Sequence, residues 1–193
     1  MEICELVRKL RELEGVYEHS KNVSLLAKKF ALYIGLSKKE ALLIQIGGIL
    51  HDIGKMQVKP TILNKPGKLT YEEYEEVKRH SQAGFDYLNT HYEGLPDEIY
   101  LMALQHHERI DGKGYPQQLK GDDIHFFSKL LSICDVYDAL VSVRTYKDAF
   151  TQSKALEIIQ EGLGTQFDQE LGKAFIQFMN NSLNNENTQL KGA

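Results

Sequence analysis

The sequence has few cysteines, no long apolar run and no excess of positive charge, and each shortage excludes a class of protein. Its two cysteines, Cys4 and Cys134, lie far apart, which favours a reduced cytoplasmic protein over a disulfide framework. No apolar run approaches the roughly 18 residues of a membrane-spanning helix, so we expect no membrane partner. The net charge of −4 argues against a nucleic-acid polymer as partner, and an anionic ligand must be bound by local positive charge.

Apolar residues recur with helical spacing along most of the chain, and alternating strand patterns are weak, so we predict an all-α fold. The 193 residues suit one domain, which we place at residues 1–181. The polar residues 182–193 are predicted to form a disordered tail. The predicted helices cover residues 3–13, 19–34, 38–54, 70–89, 96–109, 126–142, 151 onward and 168–181.

Several helix starts carry recognisable capping residues. Ser37 with Glu40, and Thr70 with Glu73, have the spacing of a capping box. Pro96 suits the first turn of a helix. Residues 55–69, with two prolines and a glycine, and the stretch DGKGYP at 111–116 predict a loop and a turn.

Histidine and aspartate residues interrupt the apolar helices at several points. The pair His51 and Asp52 ends the apolar run ALLIQIGGIL, and Asp135 lies within KLLSICDVYDALVSV. Such groups are costly to bury without partners. His19, His80, His106 and His107 come from other predicted helices. A helical bundle can bring such side chains together on metal ions, and mixed imidazole and carboxylate ligands suit iron, manganese, zinc or nickel.

Adjacent helical residues point about 100° apart. A pair of metal ions could therefore use both side chains of the His51–Asp52 step, with Asp52 bridging the ions while His51 holds one. Lys55 lies one turn beyond His51 and would face the same way.

Each of these residues also has an ordinary structural interpretation. A single histidine on an apolar face is more often a hydrogen-bonded core residue than a ligand. The adjacent histidines 106 and 107, and Lys55, could interact with helix dipoles. Asp135 and Asp138 could bind a neighbouring helix or face solvent. Taken together these interpretations do not account for the pattern, because each of several buried polar residues would need its own separate partner. His91 and His125 lie in loop-like contexts and are predicted to be surface residues.

Four stretches together resemble the HD-GYP domain, a bacterial group of the HD phosphohydrolases. They are HDIGK at 51–55, His80 within KRHSQAGFDYL, HHERIDGKGYP at 106–116 and CDVYDALVSVRTYK at 134–147. The similarity extends over residues 15–180, and the extended HHExxDGxGYP pattern is very specific. The resemblance implies a bundle of five core helices plus two more, and a metal-dependent phosphodiesterase that opens cyclic di-GMP to linear pGpG and in some members continues to GMP.

The resemblance also implies the site residues. The motif matches give the metal ligands as His19, His51, Asp52, His80, His106, His107 and Asp135. Lys55 matches a lysine beside the metals, Arg144 and Lys147 match residues that grip the ligand phosphates, and Tyr115, with Gly114, matches the loop near the ligand. Such domains can form homodimers or be fused to a sensory or receiver domain.

One position departs from the family pattern. Some members have a glutamate four residues before the first histidine, which helps to hold a third metal. Here that position is Gly15, flanked by Glu14 and Glu18, which on a continuing helix would point elsewhere. We therefore predict two divalent ions, most simply iron or manganese, with zinc or nickel as alternatives.

The mechanistic hypothesis is metal-assisted phosphoryl transfer. Two metals about 3.5–4 Å apart would hold a bridging hydroxide that attacks phosphorus in line with the leaving 3′ oxygen. Asp52 would bridge the metals, and Lys55 would neutralise charge on the phosphoryl oxygens or protonate the leaving group. Three alternatives stay open: another cyclic dinucleotide such as cyclic GMP-AMP or another nucleotide as substrate, a cyclic di-GMP sensor without catalysis, and a helical scaffold without a ligand.

Overall fold

The computed structural model describes residues 3–13, 15–142 and 149–191. The regular elements in these ranges are helices, and no strand occurs among them, so the all-α prediction is confirmed. None of the described helices is both long and apolar enough to cross a membrane.

The helices follow one another closely along the chain. They are α1 (Ile3–Arg11), α2 (Val16–Tyr33), α3 (Lys38–Leu50), α4 (Pro60–Leu63), α5 (Tyr71–Lys78), α6 (His80–His91), α7 (Asp97–Gln105), α8 (Phe126–Val141), α9 (Gln152–Glu161) and α10 (Gln169–Lys191). Short 3₁₀ helices cover Ile53–Gln57 and Gly121–Asp123. Both predicted capping boxes are present, since the Ser37 and Thr70 side chains each accept a backbone N–H and their own backbone N–H groups donate to Glu40 and Glu73.

Helices α2 and α3 pack closely because Gly48 lies against α2. A Cβ atom at Gly48 would lie 2.8 Å from the Ser24 Cα, so only glycine allows this separation. Helix α2 also packs on α8, and α7 lies against α3, α6 and α8. The apolar side chains between these helices include fully buried Phe30 and Leu50. The ends of α3 and α7 thereby face the middle of α8.

The structure differs from the prediction in several segments. The predicted helix 38–54 ends at Leu50, and a separate 3₁₀ helix begins at Ile53. The predicted helix 70–89 is two helices, α5 and α6, which meet at Arg79. His80 Nδ1 donates to the Val77 carbonyl at 2.7 Å, an acceptor that an unbroken α-helix uses for a backbone N–H four residues on. The predicted loop 55–69 contains part of a 3₁₀ helix and α4, and α7 ends at Gln105 rather than near residue 109. Helix α10 runs to Lys191, whereas we expected a disordered tail from residue 182.

Candidate metal centre

The predicted metal ligands come from separate elements whose ends meet at one place. His19 lies on α2, His51 caps the C-terminus of α3, Asp52 precedes the 3₁₀ helix, His80 opens α6, His106 and His107 follow α7, and Asp135 lies on α8. Five of these residues are buried, and His19 and His107, which are partly buried, lie in the same cluster. The structure therefore brings together every predicted ligand.

The candidate ligand atoms form two groups, and within each group they lie within 4.8 Å of one another. The Asp52 group consists of Asp52, His80, His106 and His107, and the His19 group consists of His19, His51 and Asp135. Each set offers imidazole nitrogens and a carboxylate, which suits a first-row divalent metal ion.

Asp52 lies between the two groups. Its Oδ1 atom is 3.3 Å from His80 Nε2 and 3.8 Å from His106 Nε2. Its Oδ2 atom is 3.4 Å from His51 Nε2 and 3.9 Å from His19 Nε2. Because each carboxylate oxygen faces a different set of histidines, Asp52 has the placement of a bridging ligand.

Backbone carbonyls select the tautomer of three histidines. The Nδ1–H groups of His51, His80 and His106 donate to the carbonyls of Gly48, Val77 and Met102 at 2.7, 2.7 and 3.0 Å. A carbonyl can only accept a hydrogen bond. With a proton on Nδ1, the Nε2 atom of each ring is the one that faces the cluster, which is how metal-binding histidines are oriented.

Unpaired buried atoms at the centre indicate that the residues fit a cation. Among the described residues, His51 Nε2 and Asp52 Oδ1 are buried without a hydrogen-bond partner, which is costly for a polar group. His80 Nε2 and His106 Nε2 lie 3.2 Å apart, although both rings already use Nδ1 as donor. Two facing lone pairs and a carboxylate are stabilised together by positive charge, so the donor set fits divalent metal ions.

Burial keeps several of these histidines neutral. It lowers the pKa of His107 to about 3, and it lowers the pKa of His51 and, more strongly, that of His106. The neighbouring histidines lower the pKa of His106 further. Neutral imidazole is the form that binds a metal ion, so these residues need not release a proton before they bind one at neutral pH.

His19 differs because two carboxylates contact it. Its Nδ1 donates to Asp138 Oδ2 at 2.6 Å and its Nε2 to Asp135 Oδ1 at 2.8 Å. Burial opposes the charged ring, yet these hydrogen bonds raise the pKa of His19 to about 9. Asp138 therefore contacts the neighbouring helix α2 rather than solvent, which is one of the two interpretations that the sequence left open. The arrangement is that of a carboxylate orienting a metal-binding histidine.

Replacing Asp138 by asparagine is expected to weaken metal binding by the His19 group. The amide keeps the shape of the side chain but removes the charge that orients and polarises the His19 ring, and such changes typically cost about 10–100-fold in metal affinity. Competition with a chelator of known affinity measures the change. Asp123→Asn, an exposed aspartate in the second 3₁₀ helix, is the matched control, and equal affinities of the two variants would contradict the prediction.

The metal-free protein is expected to lose stability as the pH rises from about 6.5 to 9. The folded-state pKa of His19, about 9, exceeds the unfolded value of 6.5. The stabilisation is therefore complete below pH 6.5 and is lost as the pH rises through 9, by up to about 3 kcal/mol. Denaturant unfolding in the presence of a chelator measures it. A His19→Gln protein should lack this slope, and an unchanged slope in that variant would contradict the assignment.

Lys55 lies beside the Asp52 group, as predicted. Its Nζ donates to Asp52 Oδ2, and its side chain is 17% exposed. The lysine thus places a positive charge at the boundary between the buried carboxylate and solvent.

The loop after α7 lies directly over the Asp52 group. Tyr115 N donates to the His107 carbonyl at 3.2 Å, and the two rings are 4.7 Å apart. A Cβ atom at Gly114 would lie 2.5 Å from Glu108 Cα and 2.6 Å from the His107 carbonyl oxygen. Gly114 is therefore needed for the close approach of this loop to the ligands. Burial raises the pKa of Tyr115, so its phenol stays protonated.

Glu108 holds this loop, a role that we did not predict. The buried carboxylate accepts hydrogen bonds from Gln117 N at 2.6 Å and Leu119 N at 3.0 Å. The signal available in the sequence was the glutamate of the HHE stretch itself, which directly follows two candidate metal ligands.

Several other residues considered in the sequence analysis lie outside the candidate site or outside the described residues. Glu18 is exposed and pairs with Lys21, so it points away from His19. Gly15 precedes α2 with φ of 81°, and Glu14 lies outside the described residues. His91 is exposed at the end of α6, as predicted, whereas His125 is half-buried because its side chain caps α8 by accepting from Phe127 N. Arg144 and Lys147 also lie outside the described residues, so their contact with phosphate stays a prediction.

Comparison with known proteins gives consistent relatives. A family model described as HD domain matches residues 8–171. The chain is 38% identical over 154 residues to the cyclic di-GMP phosphodiesterase response regulator RpfG of Xanthomonas campestris, covering 80% of this chain and 41% of that protein. It is 37% identical over 153 residues to 3′3′-cGAMP-specific phosphodiesterase 2 of Vibrio cholerae, covering 79% of this chain and 29% of that protein.

The fold is also similar to that of Bd1817, an HDG"Y"P protein from Bdellovibrio bacteriovorus. The TM-score is 0.70 at 20% identity, over 90% of this chain and 56% of that chain. The chain spans less than half the length of the two curated relatives above. Because the family model matches most of the chain, the chain belongs to the HD domain family, which binds divalent metal ions, and within it to the HD-GYP group, whose two motifs it carries at His51–Asp52 and Gly114–Tyr115–Pro116.

Proposed function

We propose that this chain is a metal-dependent phosphodiesterase that hydrolyses cyclic di-GMP to pGpG, with GMP as a possible further product. The observation that supports it most is the Asp52 carboxylate, whose two oxygens face separate histidine sets. Such a bridging placement is typical of two-metal hydrolytic sites for phosphate esters. The named activity of the relative RpfG supports the same reaction.

The two ligand groups would hold two divalent ions. We favour iron or manganese, because nitrogen-rich sites with carboxylates suit both, with zinc and nickel as alternatives. When bound, the ions would supply positive charge to the phosphoryl oxygens and acidify water at neutral pH. The replacement of the family glutamate by Gly15 and the outward direction of Glu18 support two ions rather than three.

The residues of the chain have separate roles around these ions. Lys55, already bound to Asp52, is placed to neutralise charge on the phosphoryl oxygens or to protonate the leaving 3′ oxygen. The protonated Tyr115, held against His107, would border the ligand with Gly114. Arg144 and Lys147 would hold the second phosphate of the substrate, which explains how an acidic chain could bind a dianion.

Another cyclic dinucleotide is the second candidate substrate. The 37% identical relative from Vibrio cholerae is named as specific for 3′3′-cGAMP. In this proposal the metal ligands would act on the phosphate rather than the base, so they favour neither nucleotide.

Elemental analysis paired with a hydrolysis assay tests the proposal. Purified protein, as isolated and after anaerobic loading with iron or manganese, would be given cyclic di-GMP, 3′3′-cGAMP and cyclic di-AMP. We expect about two metal ions per chain and pGpG as product. Metal without turnover of any of these compounds would indicate a sensor. The absence of bound metal after loading would refute the proposed metal-dependent activity.

The larger context stays a prediction. A cytoplasmic location, a homodimer, and fusion to a sensory or receiver domain are all compatible with the properties above. The relative RpfG is named a response regulator and is more than twice as long as its matched part, which supports the fusion.

A further inference from the structure

Helix α5 carries exposed aromatic side chains that the core does not explain. The whole helix lies within the described residues, and none of its residues is buried. Tyr71 is 74% exposed and Tyr74 is 49% exposed. The helix ends at Lys78, two residues before the candidate ligand His80, so its C-terminal part lies beside the metal centre. Aromatic residues that stabilise no core and border a site suggest contact with a ligand.

A row of rings and one cation leads from the metal centre to Tyr74. The Tyr115 ring is 4.7 Å from the His107 ring. Lys78 Nζ lies 5.6 Å from the centre of the Tyr115 ring and 5.5 Å from that of the Tyr74 ring. The lysine therefore joins a ring beside the metal ligands to a ring that is half exposed.

Glu75 completes a pair of opposite hydrogen-bonding groups next to Tyr74. Lys78 Nζ lies 2.6 Å from Glu75 Oε1, and the side chains are 26% and 35% exposed. The comparable pair Lys154–Glu157 on α9 is 49% and 58% exposed. The pair on α5 is thus more enclosed than an ordinary helix-surface pair. It presents a donor and a carboxylate acceptor side by side.

Guanine carries the complementary pattern on one edge. Its O6 atom accepts, and the neighbouring N1–H and N2–H groups donate, so an ammonium can bind O6 while a carboxylate accepts from N1 and N2. Adenine presents a donor at N6 and an acceptor at N1, which would oppose both groups. A base stacked on the Tyr74 ring would bring its edge towards Lys78 and Glu75.

We propose that Tyr74, Glu75 and Lys78 form a guanine-binding site at the entrance to the metal centre, with Tyr74 stacking on the base and the charged pair reading its edge. This proposal rests on the proposed function, because it treats the base as part of the cyclic dinucleotide bound at the metals. The site would select guanine over adenine, a choice that the metal ligands themselves do not make.

The stacking component is tested with Tyr74→Ala and Tyr74→Phe in metal-loaded protein. Loss of one base–aromatic stack should raise the KM for cyclic di-GMP about tenfold, with kcat and metal content close to wild type. Tyr74→Phe keeps the ring and should lose clearly less. A KM of Tyr74→Ala equal to that of wild type would overturn the proposal, and an exposed residue on a helix without buried side chains makes misfolding a poor explanation for any loss.

The reading of the base edge is tested with Glu75→Gln. Glutamine replaces one carboxylate oxygen by an NH2 donor that would face the N1–H or N2–H donor of guanine, and it removes the negative charge. The ratio of kcat/KM for cyclic di-GMP over cyclic di-AMP should therefore fall about tenfold. Glu157→Gln, in the remote pair of the same spacing, should leave the ratio unchanged. An equal ratio in Glu75→Gln and wild type would show that the pair is an ordinary surface ion pair and would overturn the proposal.

Calorimetric binding separates this proposal from the proposed function. If wild-type protein hydrolyses no cyclic dinucleotide, the proposed function fails, and titration of the metal-loaded protein with cyclic di-GMP and cyclic di-AMP still tests the site. Preferential binding of cyclic di-GMP that Tyr74→Ala weakens about tenfold would support it. Binding without that preference, binding unaffected by Tyr74→Ala, or no binding would overturn it.

Discussion

Replacing Asp52 by asparagine is expected to lower the metal content below two ions per chain and to reduce hydrolysis by roughly 10²–10³-fold or more. One oxygen of this carboxylate faces His80 and the other faces His51. Asparagine keeps the shape but removes the negative charge and one of the two acceptors. Both ligand groups should therefore lose affinity together, rather than one alone.

Elemental analysis and the hydrolysis assay on one sample measure the effect of Asp52→Asn. The matched control is Asp86→Asn, an exposed position on α6, which should retain both metal and activity. A variant at position 52 that keeps two ions and full hydrolysis would show that Asp52 does not bridge the groups. Replacing His51 and Asp52 together by alanine should remove metal and activity completely.

Replacing Gly54 by alanine is expected to destabilise the fold by about 4 kcal/mol or more. A Cβ atom there would lie 2.0 Å from the His80 carbonyl oxygen and 2.5 Å from Gly84 N. Both atoms belong to the backbone of α6, so no change of rotamer relieves the overlap. The 3₁₀ helix after Asp52 would have to move away from α6, which would separate Asp52 from His80.

Denaturant unfolding of metal-free protein measures this loss. Gly84→Ala is the matched control, because it introduces the same methyl group from the other side of the contact, where the nearest atom is 3.2 Å away. We expect its cost to be smaller by a few kcal/mol. If Gly54→Ala unfolds at the same denaturant concentration as wild type, the close approach of these two elements is wrong.

The positions of most helices could be predicted from the sequence because they depend on neighbouring residues. Apolar spacing located α3 and α8, and the capping pairs at Ser37 and Thr70 began helices where expected. Local pattern did not locate the break at Arg79, since it involves a side chain, His80, that takes a backbone acceptor at Val77. A helical period continues across such a break and so conceals it.

The sequence also indicated which residues form the candidate metal centre. His51, Asp52 and Asp135 interrupt apolar helices, and buried polar groups need partners whatever the fold. The resemblance to the HD-GYP domain then extended this set to the other ligands. Both inferences use residue types and short spacings, which can be read from the sequence before the fold is known.

Only the tertiary structure decided how these residues are divided and supported. His19 and Asp138 are 119 positions apart, and their contact depends on α2 packing against α8. The separation of the ligands into two groups with Asp52 between them, and the loop held by Glu108, arise in the same way. The sequence by itself determined the helices and the reactive residue types, because those depend on local spacing and on the cost of burying charge. The distances between ligands depend on packing of remote helices, so only the folded chain determines them.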